Sequence, residues 1–135
     1  MLNIITAEQR LNEKKGHKLV VCGPSGVGKT SLARTLDPSK TLFMDLEAGD
    51  AAIEGVAIDV IRPRTWQECR DFAVFLGGPN PALTPDQPYS VVEYEKVTQM
   101  YGDAIAMMQK YDSIFVDSIT VAGRLCFQYC YGHPD

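Results

Sequence analysis

The sequence predicts an α/β fold, a parallel sheet flanked by helices, and three observations carry that expectation. Short apolar runs at 18–22, 41–44, 56–61 and 111–118 are rich in β-branched and aromatic residues, as suits buried strands. Between them, 30–36, 66–76 and 91–109 place apolar residues at helical spacing. Finally, a glycine-rich turn, Gly23-Pro24-Ser25-Gly26-Val27-Gly28-Lys29-Thr30 with Ser31 behind it, joins the first run to the first of those helices.

That turn fits G-x-x-x-x-G-K-[ST] at every fixed position, with a strand predicted before it and a helix after it. Glycines at 26 and 28 open backbone conformations closed to other residues, so several N–H groups can converge on a polyphosphate. The helix beyond adds free donors and its dipole, which favour an anion. In this pattern Lys29 reaches the β- and γ-phosphates, and the Thr30 hydroxyl ligates Mg²⁺. The expected ligand is a nucleoside triphosphate held by Gly23 to Ser31.

The elements follow in order. Thr6 is placed to cap a short helix running to Glu13, with Glu8 near the third helical position. Lys14, Lys15 and Lys18 form a small basic cluster, read as solvated surface. Lys18-Leu19-Val20-Val21-Cys22 is the first strand, and the helix after the turn ends at Asp37-Pro38. Thr41-Leu42-Phe43-Met44 is the second strand and runs into Asp45-Leu46-Glu47. In an open α/β sheet the ligand crevice lies beyond the carboxyl ends of the strands. A carboxylate there is placed to activate the water that attacks a γ-phosphate, or it is only a polar strand end.

Val56 to Ile61 is the third strand, closed by Arg62-Pro63-Arg64. The two arginines read as solvated loop residues, with phosphate or a neighbouring subunit as the alternative. Thr65-Trp66-Gln67-Glu68 is a capping box for a helix whose inward stripe is Trp66, Cys69, Phe72, Ala73 and Leu76. Trp66 belongs to the core in this reading rather than to a stacking platform. Four prolines and two glycines between Gly77 and Pro88 mark a surface loop. One helix follows over 91–109, bending at Gly102, with Val92, Val97, Met100, Ile105 and Met108 inward. Tyr89, Tyr94 and Tyr101 are expected to pack on it. The run 111–118 ends in Asp117, the position of a magnesium-holding carboxylate, with Ser118 near the same shell. Ile119 to Tyr131 is the last helix.

Composition narrows the function classes. The 135 residues read as one domain, 1–135, with 45% hydrophobic and 22% charged residues. A net charge of −4 gives no global field toward nucleic acid. The absence of an 18-residue apolar run and of a signal pattern leads to a cytoplasmic expectation without a membrane partner. Cys22, Cys69, Cys126 and Cys130 lack metal-ligand spacing and read as small buried apolar side chains.

The motifs GPSGVGKTS (23–31), TLFMDLEAGD (41–50), VIRPRTW (60–66) and YDSIFVDSIT (111–120) together resemble RecA-like P-loop NTPases. The likeness is greatest to small phage nucleotide-binding proteins associated with single-strand annealing and recombination. It implies a Mg-dependent ATPase in phage or prophage DNA recombination, working in the host cytoplasm on ATP. Glu47 is then the catalytic base, Lys29 the residue steadying transferred charge, and Asp117 with Thr30 the Mg²⁺ ligands. Single-stranded DNA, a homo-oligomer or a recombination partner protein is the implied company. The same resemblance implies further strands after Tyr131, so the chain reads as truncated at the C-terminus or as half of a split protein. A small-molecule or nucleoside kinase and a nucleotide-binding remnant without turnover remain alternatives. A GTP switch lacks its N-K-x-D segment.

Overall fold

The computed structural model describes residues 4–13 and 16–134. Its elements are α1 (Ala7–Asn12), β1 (Thr41–Asp45), β2 (Asp59–Ile61), α2 (Trp66–Gly77), α3 (Val91–Tyr101), α4 (Ala104–Lys110), β3 (Ser113–Asp117) and α5 (Ile119–Gly132). Single 3₁₀ segments cover Thr30–Thr35, Pro38–Lys40 and Asp50–Ile53. The strands form a parallel sheet ordered β2-β1-β3, so the α/β expectation holds. No described helix is long and apolar enough to cross a membrane.

Every residue of β1 is buried, because the central strand of a parallel sheet is covered on both faces. Side chains alternate along it. Leu42 and Met44, with Leu46 beyond, face the helical layer and pack with Cys69, Phe72, Val74, Phe75 and Val97. Phe43 faces the other way, into a cluster with Ala33 and Ile53 that Val56, Ile58, Val60 and Phe115 complete. Phe43 stands opposite Phe115 in register, and their rings stack at 5.3 Å and 10°. Helices α2 and α3 pack together on one face, while the segments 30–35 and 50–53 meet on the other.

Local chemistry explains the helix starts. Thr65 accepts from the Glu68 N–H and the Glu68 carboxylate returns to Thr65 N, the predicted capping box. Thr6 makes the same box with Gln9, which occupies the third helical position instead of Glu8. Gly102, at φ 94°, does more than bend the predicted 91–109 helix: it ends α3, and Asp103 starts α4 by accepting from Ile105 and Ala106 N–H.

Several expectations are corrected. Residues 18–22 form no strand, and Leu19 and Val20 are 85% and 78% exposed. A strand exists through its ladder, and no described strand pairs with this run, whatever its propensity. The segment after the glycine turn is 3₁₀ rather than α, and only Ala33 on it is buried. Of the third strand only Asp59–Ile61 pairs. On α2, Val74 and Phe75 are buried and Ala73 is exposed. Val92, Met100, Ile105 and Met108 are exposed, leaving Val97 as the buried apolar residue of α3. Cys69 is buried as expected, whereas Cys22 and Cys130 are exposed. Trp66 and Tyr94 pack against the core; Tyr101 lies 5.9 Å from Phe75 and Tyr89 against Gly77. Lys14 and Lys15 lie outside the described residues.

Candidate functional site

The site is built where parallel strands end. The register sets Asp45, the last residue of β1, beside Asp117, the last of β3. The ladder then runs one step further, with Leu46 N–H donating to Asp117 O at 2.7 Å. The turns that follow both strands therefore share one edge of the sheet.

Asp45 is fully buried and does two things there. Its Oδ1 accepts the Gly49 N–H at 2.9 Å, closing the turn 46–49, and its Oδ2 lies 3.3 Å from Arg62 Nε at the end of β2. These bonds explain how a carboxylate tolerates burial. They also separate the two acids that strand position alone left equivalent: Asp45 is committed internally, and Glu47, which the resemblance makes the base, is exposed on the turn. Ser118 Oγ donates to Glu47 Oε1. Arg62 is exposed, as expected; its pairing with Asp45 needed the β1–β2 adjacency to be seen. Arg64 is exposed, as expected.

Asp117 is buried, and its Oδ2 accepts the Thr30 hydroxyl at 2.5 Å, across 87 positions of sequence. A Cβ on Gly49 would stand 3.2 Å from the same oxygen, so a side chain there would crowd Asp117. The glycine loop is thus pinned to the carboxyl end of β3 by its last residue.

Within the loop, Gly26 and Gly28 take φ of 80° and 94°, conformations that side-chain-bearing residues rarely adopt. Lys29 Nζ donates to Gly23 O and Pro24 O, each at 2.7 Å, folding the loop into a ring around one ammonium. Ser25 and Val27 are exposed on it, and Ser31 is exposed just beyond. Arg34 donates to Ala52 O at 2.7 Å and Glu54 O at 3.2 Å, tying the segment after the loop to the segment after β1.

The structure therefore brings Thr30, Glu47 and Asp117 to one edge, with the loop 23–29 attached. The residues fit a magnesium–nucleotide. Two hard oxygen donors, Thr30 Oγ1 and Asp117 Oδ2, sit together, and the glycine conformations leave open space where side chains would stand.

Residues 15–135 match a protein family described as an AAA domain. Neither the curated proteins nor the solved structures provide a match. The family match spans most of the chain and agrees with the parallel sheet and the glycine loop: the protein belongs to the AAA domain family of P-loop NTPase-type proteins.

Proposed function

We propose that this chain, acting as one nucleotide-binding domain, binds Mg-ATP through Gly23 to Ser31 and hydrolyses it. The observation that supports this most is the Thr30–Asp117 hydrogen bond, which joins two residues assigned to the metal from separate motifs. Bound magnesium would neutralise charge on the phosphates, and Thr30 and Asp117 are the residues that would hold it. Lys29 carries the positive charge for the terminal phosphates, so its ammonium must exchange two carbonyl partners for phosphate oxygens. Glu47 is the base: its Oε1 is held by Ser118, and its Oε2 takes a proton from water.

The resemblance to phage annealing and recombination ATPases extends the proposal to single-stranded DNA as partner. With a net charge of −4, such contact would rest on a local surface and an oligomer rather than on the global field. The test is ATP turnover with and without single-stranded DNA, for this chain and for any longer product of its gene. Expected are DNA-stimulated hydrolysis and its loss in Lys29→Ala and Glu47→Gln, with nucleotide binding retained in Glu47→Gln. Turnover surviving Lys29→Ala would reject the site. Phosphate transfer to an added nucleoside would favour a kinase instead.

A further inference from the structure

We propose that Ser118 is the positioning residue for Glu47, an assignment that rests on Glu47 being the base. Two independent features of the same hydroxyl carry it. Ser118 occupies the N-cap of α5 with the extended backbone of a cap (φ −132°, ψ 158°), where serine ordinarily accepts from the backbone N–H of the first turn. It makes no such bond. The other serine and threonine N-caps of α-helices in this chain, Thr6, Thr65 and Ser90, all do. The hydroxyl of Ser118 instead donates to Glu47 Oε1.

The topology makes this choice available. Asp45 and Asp117 are partners in register, and Leu46 N–H bonds to Asp117 O, so the residues one step beyond each strand come side by side. Glu47 stands on a turn fastened at its ends, by Asp45 to Gly49 N–H and by Leu46 to β3. Neither bond restrains its exposed side chain. Such a carboxylate samples several rotamers, and a base that is displaced by an ångström loses much of its effect. A hydroxyl held by the start of α5 fixes one oxygen and aims the other across the edge of the sheet. Ser118 keeps its own proton throughout; the proton taken from water goes to Glu47 Oε2.

The test compares Ser118→Ala, Ser118→Thr and Glu47→Gln in the full-length protein. Ser118→Ala is expected to lower kcat about ten- to hundredfold with KM for ATP within about twofold. Its melting temperature should stay near wild type, because no cap bond is lost. Ser118→Thr restores the hydroxyl and should recover most of kcat. Ser118→Ala should add nothing in a Glu47→Gln background. A kcat unchanged by Ser118→Ala, or a loss that Thr fails to rescue, would overturn the positioning role and leave the base assignment standing. Full activity in Glu47→Gln would overturn both. Crystal structures of wild type and Ser118→Ala supply a readout independent of turnover. One Glu47 rotamer that spreads into several in the variant supports the proposal, and an unchanged rotamer refutes it.

Discussion

Asp45→Ala tests how the edge of the sheet is assembled. The carboxylate is fully buried and accepts two donors, Gly49 N–H at 2.9 Å and Arg62 Nε at 3.3 Å. A hydrogen bond to a charged acceptor contributes about 1.5 kcal/mol or more where water is excluded, which applies to the Gly49 bond. The Arg62 side chain is 47% exposed and recovers most of its loss from solvent, so its share is about 0.5 kcal/mol. Removing the carboxylate should therefore cost about 2 kcal/mol, read as a lower urea midpoint at unchanged slope. Asp45→Asn should cost only about 0.5 kcal/mol, because its one amide oxygen can keep the Gly49 bond while the amide N–H₂ cannot accept from Arg62. ATP turnover should fall further than stability in Asp45→Ala, since the turn carrying Glu47 loses its closure. A urea midpoint within error of wild type for Asp45→Ala would refute the reasoning. So would an Asn variant as unstable as the Ala variant, which would mean that charge rather than turn closure dominates.

Other expectations follow from burial and charge. Phe43→Ala removes a fully buried ring stacked on Phe115 and should cost about 3–5 kcal/mol in urea unfolding; a loss below about 2 would contradict the packing. Leu19→Ser and Val20→Ser should each change stability by less than about 0.5 kcal/mol, since both side chains stand in solvent; a loss of about 2 would show the run to be a buried strand. The Asp59 carboxyl is held below its ordinary range by the Lys110 ammonium, at 2.6 Å, and then by the Tyr111 hydroxyl. Stability from such a group is present above its unfolded pKa and lost as pH falls through its folded value. Asp59→Asn should thus lower the melting temperature at pH 7 and leave it unchanged at pH 2; a shift of equal size at both would show that charge is not the cause.

Much of the candidate site's geometry could be read from spacing, because its signals are local. Gly23 to Thr30 needs fixed backbone freedom at fixed positions, and Thr65 with Glu68 needs only one turn of helix. Asp117 follows an apolar run that pairs with β1. What escaped depended on partners. Residues 18–22 have strand composition and no described ladder. The stripe of α2 proved wider than one periodic line, because that helix meets both the sheet and α3, which draws Val74 and Phe75 inside. The break at Gly102 lies in a positive φ backed by the Asp103 cap, a pair that helical periodicity reads through. The partners of Asp45 and Glu47 came only with the β2-β1-β3 order, which brings Arg62 to one and Ser118 to the other.

The loop itself shows how the proposed phosphate site is held with no described strand paired behind it. Residues 23–29 are fastened at their far end by Thr30 on Asp117 and internally by Lys29 on the carbonyls of Gly23 and Pro24. The lysine is therefore the bolt of the loop in this structure, beside the role proposed for it as the phosphate's charge partner. If the ammonium holds the ring, Lys29→Ala should speed amide hydrogen exchange across Ser25 to Gly28 in nucleotide-free protein, while amides of β1 and β3 keep their protection. Lys29→Met, which keeps the stem but not the donors, should behave like Ala. Exchange that is unchanged in both would mean that the glycine conformations persist without the carbonyl bonds, and that Lys29 is not the bolt of the loop.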